Sequence, residues 1–374
     1  MRITTLCEEG LETRVSITPK AVKTYTDLKC QVILEQNAGI KSGFSDQDYR
    51  VQGAHFAKSA KTLVKETDII LCVNETNYKK LAGLPTKSLI IGHINKDPES
   101  PLIKWCLKEK ISLLSMNLIP RISRAQSMDS LSSQSNLAGY KAVLEGVSAF
   151  HKAVPMMMTA AGMIQPAKIL ILGAGVAGLQ AIATAKRLGA VVSATDVRSA
   201  TKEQVESLGG KFIMVEDEES KEAETIGGYA KEMSDQYKQK QAKLIAETVS
   251  KQDIVISTAL IPGRPAPILI TEEMVNSMAQ GSVIVDLAVE AGGNCPLSKI
   301  GEVVVHNGVK ILGYANVPGR VAKDASSLYA KNIVNFLYLM INKEEKKIDI
   351  DWNDEIINAV VLSHNGNIKL EQFF

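Results

Sequence analysis

Short apolar runs alternate with longer amphipathic runs along the whole chain, which is typical of strands alternating with helices in an α/β protein. Thr18-Pro19, a capping residue followed by proline at the first helical position, predicts a helix that ends near Leu28. Before residue 120 the pattern predicts a further helix at 101–110 and strands at 2–5, 31–35, 69–74, 88–94 and 111–115.

The second half of the chain continues this alternation around a strand without any polar position, Ile169–Leu172. Such a continuous apolar run is typical of a parallel strand that is buried on both faces. Gly189, Gly209 and Gly281 stand where helices should end before the next strand begins. The remaining apolar runs predict strands at 191–195, 211–215, 253–258, 282–288 and 309–313.

We therefore predict an α/β fold of two Rossmann-like domains, with parallel sheets flanked by helices and a cleft between them. The first domain comprises residues 1–136 together with about 320–374, because the helix that Asp324 caps is expected to cross back onto it. The second domain comprises residues 137–319.

Two segments interrupt the alternation. Residues 120–136 contain six serines and no apolar period, so that composition alone favours a linker over a functional loop, with a helix following at 137–152. Residues 216–251 are rich in charge but contain Gly227-Gly228-Tyr229. Two adjacent glycines favour a hinge or a mobile loop over a plain solvated helix.

Composition narrows the class of protein. The 374 residues are 45% hydrophobic and 22% charged, which suits two globular domains and excludes a disordered chain. Lysine and arginine number 43 against 41 acidic residues, so we expect no nucleic-acid partner. Five scattered cysteines without a CxxC pair predict a reducing compartment and no metal site. The longest apolar stretches span 11 residues, and we expect a soluble chain without a membrane span or a signal peptide.

A glycine-rich turn provides the clearest candidate site. Gly173-Ala-Gly175-Val-Ala-Gly178 follows a predicted strand and opens a predicted helix, and Asp196 stands 18 residues further on at the end of the next strand. This is the arrangement of a dinucleotide site. Gly173 permits the tight turn, Gly175 lets the backbone approach a pyrophosphate, and Gly178 lets helix and sheet pack closely. The alternative is a Rossmann-like domain that has lost nucleotide binding.

Asp196 favours NAD(H) over NADP(H), because a carboxylate accepts hydrogen bonds from ribose hydroxyls and repels a 2′-phosphate. Arg198 complicates this preference, and we interpret it as a wall of the adenosine pocket or a surface residue. The cofactor-binding residues predicted in this region are Gly173, Gly175, Val176, Gly178, Asp196, Val197 and Arg198.

A dehydrogenase of alcohols, hydroxy acids or amino acids needs a positioned acid or base, which is usually histidine or lysine. None of the five histidines stands in a recognisable acid/base motif. His93 is a candidate because it lies at a strand end, although a single histidine there favours a structural role.

Several motifs resemble one family. Residues 12–19 and the segment SGFSDQDY at 42–49 resemble the N-terminal domain shared by alanine dehydrogenase and the proton-translocating NAD(P) transhydrogenases. Residues 120–140 resemble the loop of the NAD(H)-binding component of the transhydrogenases, called domain I. Segments ALIPGRPAP, VDLAVEAGGNC and GYANVPGR, which begin at residues 259, 285 and 313, match the same family.

The resemblance implies roles for residues around the nicotinamide. Arg121 would pair with a phosphate or a partner group, and Gln126 would contact the dihydronicotinamide. Asp129 would orient Arg121 or a nicotinamide ribose, and Ser132 lies in the same group. On this basis the segment 120–136 is a functional loop rather than a linker.

Further nucleotide contacts follow from the same resemblance. Gly228 and Tyr229 match a mobile loop that closes over the bound nucleotide, in agreement with the hinge indicated by the double glycine. Ala259 and Leu260 are expected to join the cofactor site.

The function implied is that of the NAD(H)-binding alpha subunit component of a proton-translocating transhydrogenase. Hydride would pass directly to or from NADP(H) on a partner subunit, a transfer that needs positioning and water exclusion but no general acid or base. The resemblance also implies a homodimer, a separate membrane-spanning subunit that translocates protons, and a peripheral position on the cytoplasmic face of the inner membrane.

Two alternatives remain at this point. An alanine dehydrogenase-like oxidoreductase would carry a substrate-binding lysine in a Val-Lys-Glu-Pro context, where this chain has Val73-Asn74-Glu75-Thr76. Arg14 and His93 would then be remnants of an ancestral pocket, although an ion-paired structural role suits Arg14 equally. A regulatory protein that binds NAD without hydride transfer is the third possibility.

Overall fold

The computed structural model describes residues 1–215, 234–261, 264–342, 344–345 and 347–369. The chain divides into two compact units: unit 1 comprises Met1–Gln134 and Gly319–Phe374, and unit 2 comprises Ser135–Pro318. Each unit is built on a mostly parallel sheet flanked by helices, as the sequence predicts.

The helices and strands are numbered in chain order. The helices are α1 (Pro19–Asp27), α2 (Asp46–Val51), α3 (Ala60–Leu63), α4 (Pro101–Glu109), α5 (Ser130–Ala149), α6 (Val176–Arg187), α7 (Thr201–Ser207), α8 (Asp235–Val249), α9 (Glu272–Ser277), α10 (Ala322–Leu337) and α11 (Glu355–Val360). The strands are β1 (Arg2–Thr5), β2 (Gln31–Glu35), β3 (His55–Ala57), β4 (Ile69–Asn74), β5 (Leu89–His93), β6 (Ser112–Ser115), β7 (Met157–Thr159), β8 (Gly162–Ile164), β9 (Lys168–Leu172), β10 (Val191–Thr195), β11 (Lys211–Phe212), β12 (Ile254–Ser257), β13 (Val283–Asp286), β14 (Val303–His306), β15 (Val309–Leu312), β16 (Ile341–Asn342), β17 (Lys347–Ile348), β18 (Val361–His364) and β19 (Asn367–Ile368).

The sheet of unit 1 has the order β19-β18-β6-β5-β4-β1-β2-β3. The six strands from β6 to β3 are parallel, and β18 and β19 extend the edge in antiparallel register. The central strands β4 and β5 are almost wholly buried, which explains their uninterrupted apolar sequences. Helix α1 begins as predicted, since the side chain of Thr18 accepts a hydrogen bond from the amide of Ala21 and Pro19 occupies its first position.

The sheet of unit 2 has the order β11-β10-β9-β12-β13-β15-β14, with only β14 antiparallel among these strands. The chain enters at β9, builds outward through β10 and β11, and then returns to the other side of β9 with β12. The strand order therefore reverses between β9 and β12. In open α/β sheets, ligands bind in the crevice beyond the carboxyl ends of the strands at such a switch point.

The serine-rich segment is ordered, which corrects the linker interpretation that composition alone favours. Residues Ser123–Met128 form a 3-10 helix, and α5 begins at Ser130 rather than near residue 137. Asp129 caps α5, because its carboxylate accepts a hydrogen bond from the amide of Ser132 at 2.9 Å. Serines of this segment make specific side-chain hydrogen bonds, as Ser132 does to Asp129 and Ser133 to Asn332, a role that composition does not distinguish from a flexible linker.

Candidate functional site

The glycine-rich turn between β9 and α6 is closely packed against its own backbone. Gly173 has a φ of +100°, which favours glycine, and a Cβ there would lie 2.6 Å from the hydroxyl of Thr258. A Cβ on Gly178 would collide with the carbonyl oxygen of Gly173. The amide of Gly173 donates to the carbonyl of Thr195 at 2.9 Å, which ties the turn to the end of β10. Gly173 and Gly178 therefore have no room for a side chain because neighbouring atoms of the protein itself fill that space.

Gly175 lacks a side chain for a different reason. It is the N-cap residue of α6, and among the described residues a Cβ there would have only the Arg198 guanidinium, at 4.0 Å, as a neighbour. The described part of the chain therefore leaves the space in front of the helix open at this residue, and Val176 beside it is partly exposed. The first amides of a helix have no partners within the helix, and they present a positive dipole end. This geometry fits a diphosphate group.

Asp196 lies at the end of β10 with only 9% of its surface exposed. One carboxylate oxygen accepts the amide of Ala174 at 2.7 Å. The guanidinium of Arg198 donates to both carboxylate oxygens, at 2.9 and 2.7 Å, and the Arg198 amide adds a third bond at 2.9 Å. Arg198 is thus an ion-pair partner of Asp196, a relation that the sequence analysis missed. Val197, between them, is half-buried.

Ala259 and Leu260 follow β12, on the other side of the switch point from the glycine turn. The hydroxyl of Thr258 lies 3.2 Å from the carbonyl oxygens of Leu172 and Gly173, which fixes β12 against the turn. Leu260 is half-exposed. The structure therefore brings these predicted cofactor residues to the same edge of the sheet as the glycines and Asp196.

The four residues predicted around the nicotinamide lie on one segment of unit 1. Arg121 and Gln126 are exposed, whereas Asp129 and Ser132 are half-buried. The Ser132 hydroxyl donates to the Asp129 carboxylate at 2.5 Å, in addition to the capping bond from its amide. In this structure Asp129 and Ser132 hold the start of α5, next to the 3-10 helix that carries Gln126.

Helix α10 contributes two asparagines that sequence reasoning missed. The side-chain amides of Asn332 and Asn335 each donate to the carbonyl of Ser127 at 2.9 Å. The hydroxyl of Ser133 donates to the Asn332 side chain at 2.8 Å. The segment that carries Gln126 is therefore fastened to α10. The only signal in the sequence is the presence of asparagines inside an apolar helix.

A polar cluster lies at the carboxyl ends of β1, β4 and β5 in unit 1, with Asn74 exposed, Glu8 and His93 half-buried and its other members buried. We define it as Glu8, Glu12, Arg14, Asn74, His93, Ser130 and Gln134. Its centre is the ion pair between Arg14 and Glu12, at 2.7 Å with both side chains buried. Arg14 also donates to the Gln134 side chain at 2.8 Å, and Asn74 donates to the Glu12 carboxylate at 2.7 Å. The ion-paired interpretation of Arg14 therefore fits the structure.

His93 belongs to this cluster but does not have the properties of an acid or base. Burial, with the nearby charge of Arg14, lowers the pKa of its imidazole to about 3. Its Nε2 lies 2.7 Å from the Ser130 hydroxyl, and its ring packs edge-on to Tyr329 with centroids 4.7 Å apart. A neutral, packed imidazole supports the structural role that the sequence favours.

Two predicted residues, Gly228 and Tyr229, lie outside the described residues. Within the part of the chain that the structure describes, no group of three or more His, Cys, Asp or Glu side chains is placed to hold a metal ion. In the same part, no helix combines the length and the apolar character that crossing a membrane requires.

Comparisons with protein-family models and with known proteins agree on one family. The family model described as "Alanine dehydrogenase/PNT, N-terminal domain" matches residues 6–138, and the corresponding C-terminal domain matches residues 142–371. The chain is 52% identical over 362 residues to the first part of the NAD(P) transhydrogenase alpha subunit of Rhodospirillum rubrum, covering 96% of this chain and 94% of that protein. Identity to an alanine dehydrogenase of Methanococcus maripaludis is 27%, over 96% of this chain and 92% of that protein.

A solved structure agrees with these sequence matches. The crystal structure of a transhydrogenase from Sinorhizobium meliloti superposes with a TM-score of 0.89 at 46% identity, covering 98% of this chain and all of that chain. Both domain models of the family match, and the identity of 52% extends along nearly the whole length of the chain. The chain belongs to the alanine dehydrogenase/PNT family, among the NAD(P) transhydrogenase alpha subunits.

Proposed function

We propose that this chain is the NAD(H)-binding component of a proton-translocating transhydrogenase. It exchanges hydride directly with NADP(H) held on a partner subunit, and a separate membrane subunit couples this exchange to proton translocation. The observation that carries the proposal is the glycine turn beside Asp196 at the switch point of unit 2. It occurs in a chain 52% identical to an NAD(P) transhydrogenase alpha subunit.

Unit 2 is the part that binds the dinucleotide in this proposal. Gly173, Gly175 and Gly178 supply the cradle, with the amides of the first turn of α6 facing the pyrophosphate. Asp196 faces the adenosine ribose. Its carboxylate repels a 2′-phosphate, and it already binds the Arg198 cation. Both effects favour NAD(H) over NADP(H).

The segment that begins at Arg121 acts on the nicotinamide end. When bound, the nicotinamide ring supplies or accepts the hydride at C4. Gln126 positions that ring, and its segment is rigid because Asn332 and Asn335 both bind the carbonyl of Ser127. The positioning demands no general acid or base, which agrees with the neutral, packed state of His93.

The partners follow from the name of the Rhodospirillum rubrum relative, since the first part of a subunit alpha implies further components. We propose that those components hold NADP(H) and span the membrane, and that this chain lies peripherally on the cytoplasmic face of the inner membrane. A homodimer is also proposed. It is supported by the hairpin of β7 and β8, which exposes five apolar side chains, with Met158 80% exposed: Met156, Met157, Met158, Met163 and Ile164.

Isotope transfer tests the proposal directly. The full chain is mixed with an NADP(H)-binding transhydrogenase component, NADH and NADP⁺ in tritiated water. We expect NADPH to form without tritium at its C4 position, because the hydride never exchanges with solvent protons. Solvent tritium at C4 would refute the direct mechanism. Absence of any NADPH, with NADH still bound, would favour the regulatory alternative instead.

The assignment of Gln126 is tested by Gln126→Asn, which shortens the side chain by one methylene and keeps its amide. Because the reacting atoms must approach to about 3–3.5 Å, we expect hydride transfer to slow by about tenfold or more. NADH affinity should change little. Unchanged transfer would remove Gln126 from the catalytic assignment.

The alternative activity, amination of pyruvate by an alanine dehydrogenase-like enzyme, is tested by supplying pyruvate, ammonium and NADH to the chain alone. We expect no alanine to form, since the side chains of Arg14 and Asn74 already bind other members of the polar cluster. Formation of alanine would favour this alternative.

A further inference from the structure

One buried side chain in unit 2 connects two loops at the edge of the sheet where the proposed nucleotide site lies. Asn294 is 0% exposed and stands in the segment that follows β13. Its side-chain oxygen accepts the amide of Ala259 at 3.2 Å. Its side-chain NH₂ donates to the carbonyls of Ala259 at 2.9 Å and Pro267 at 2.7 Å. One amide thus holds both backbone groups of Ala259.

Asn294 is itself fixed in place by its neighbours. Asp286, 1% exposed at the end of β13, accepts the amide of Cys295 at 3.1 Å and the amide of Ala288 at 3.0 Å. The hydroxyl of Ser257, at the end of β12, donates to the same carboxylate at 3.2 Å. The segment from β13 to Asn294 is therefore anchored to Ser257 at the end of β12, two residues before Ala259.

We propose that Asn294 is a positioning residue of the dinucleotide site. By holding Ala259 through both of its backbone groups, it fixes the start of the 259–267 loop. Ala259 and Leu260, which follow β12, lie on the other side of the switch point from the glycine turn. The inference rests on the proposed function, because it requires that Ala259 and Leu260 contact NAD(H).

The geometry predicts a selective effect when the side chain is removed. The backbone carbonyl of Asn294 accepts the amides of Leu269 and Ile270, at 2.9 and 3.0 Å, and the amide of Ala266 donates to Ala291. These bonds do not involve the Asn294 side chain. A substitution therefore removes both bonds to Ala259 and the bond to the Pro267 carbonyl, while the backbone bonds of Ala266, Leu269 and Ile270 remain. Ala259 loses its only described side-chain partner, whereas the chain near Pro267 stays anchored by its backbone.

The variants are Asn294→Ala and Asn294→Asp in the full chain, measured by NADH fluorescence titration and by thermal unfolding. We expect Asn294→Ala to weaken NADH binding about tenfold or more. In Asn294→Asp, a carboxylate would face two carbonyl oxygens, so burial and these oxygens raise the pKa of the new carboxyl. Once protonated it can donate one hydrogen bond again. Its NADH affinity, relative to the natural chain, should therefore recover as the pH falls from 8 to 6.

Thr271→Ala is the matched control in the same part of unit 2. Thr271 caps α9, because its hydroxyl accepts the amide of Met274, and it makes no bond to the 259–267 loop among the described contacts. Loss of this capping hydroxyl should lower the melting temperature of the protein without changing its affinity for NADH. If Asn294→Ala behaves like this control, with lower stability and normal affinity, Asn294 is merely structural and the inference is wrong.

The proposed function and this inference fail in different ways. If the natural chain does not bind NADH, the proposed function is wrong and the inference falls with it. If the natural chain binds NADH, and both Asn294 variants bind it as tightly as the natural chain does at pH 8 and at pH 6, only the inference is wrong.

Discussion

The carboxyl edges of the two parallel sheets are used in opposite ways. In unit 1 this edge holds the polar cluster, whose groups bind one another: Arg14 pairs with Glu12, and the Asn74 side chain donates to the Glu12 carboxylate. In unit 2 the same edge presents a glycine turn and the start of α6, with open space at Gly175. In open α/β sheets ligands bind at the carboxyl edge. The two units therefore differ in whether the groups at this edge are already bonded within the protein or are available to a ligand.

The contrast teaches that similar sheets need not have similar functions. The cluster of unit 1 contains the residue types of an oxo-acid site, an arginine and a histidine, but their bonds are already made within the protein. Burial lowers the pKa of His93 to about 3, so that it is neutral at physiological pH. Unit 2 instead contributes backbone amides and one acidic side chain, Asp196, which suit a nucleotide. We therefore expect substitutions in the cluster to alter stability and those at the glycine turn to alter binding.

The largest expected effect is on the stability of unit 1. Arg14→Met removes the partner of Glu12 and leaves that carboxylate buried without its guanidinium. Breaking a buried pair in this way costs about 3–5 kcal/mol. Urea unfolding of the natural chain and the variant measures the difference, and NADH affinity of the folded variant should be unchanged.

A double variant, Arg14→Met with Glu12→Leu, is the control for this prediction. Replacing both partners removes the buried Glu12 charge as well, so a large part of the lost stability should return. Weaker NADH binding in the folded single variant would contradict the division of roles between the two edges.

The second prediction separates the two kinds of glycine in the turn. Gly178→Ala places a methyl group against the carbonyl of Gly173, so it should destabilise the protein by about 1–3 kcal/mol and abolish NADH binding. Gly175→Ala has open space and should cost only about half a kcal/mol of stability. Its methyl group should nevertheless weaken NADH binding, because it projects where the pyrophosphate approaches. Normal NADH affinity in Gly175→Ala would show that no phosphate binds there.

Much of the fold was accessible from the sequence because its determinants are local. The predicted strands 2–5, 31–35 and 69–74 coincide with β1, β2 and β4. The short strands β3 and β18 were missed, since they depend on pairing with distant strands rather than on an apolar run of their own.

The candidate site likewise has features that the sequence predicts and features that it does not. The spacing of the glycines and Asp196 was visible because it lies within one strand–helix–strand segment. The bonds from Asn294 to Ala259 and from Asn332 to Ser127 were not, because they span 35 and 205 residues of sequence. The pair of Asp196 and Arg198 is close in sequence, but its geometry depends on the turn after β10. The roles of all these residues in binding remain predictions.

The third prediction concerns the choice of nucleotide at the edge of unit 2. Asp196→Ala removes the ribose acceptor and also releases the Arg198 guanidinium from its ion pair. NADH binding should weaken and NADPH binding should improve, so that the ratio of the two dissociation constants changes by about tenfold, or about 1.4 kcal/mol. Fluorescence titration with each nucleotide measures the ratio. The double variant with Arg198→Ala lacks the cation and should lose the gain for NADPH. An unchanged ratio in Asp196→Ala would contradict the role of Asp196 in nucleotide choice.

The smallest expected effect is a pH dependence in the cluster of unit 1. Burial raises the pKa of the Glu8 carboxyl from 4.5 to about 7. Between these values the unfolded chain releases its proton and the folded chain does not, so stability falls as the pH rises from 4.5 to 7 and stays lowered above pH 7. Glu8→Gln cannot ionise, and its carbonyl oxygen can still accept the amide of Val73. Because Glu8 is partly exposed, we expect a gain of only about 1 kcal/mol for this variant at pH 8, and none at pH 4.5. Urea unfolding at the two pH values checks this. If the stability difference between Glu8→Gln and the natural chain is the same at both pH values, the Glu8 carboxyl ionises normally in the folded protein and the prediction is wrong.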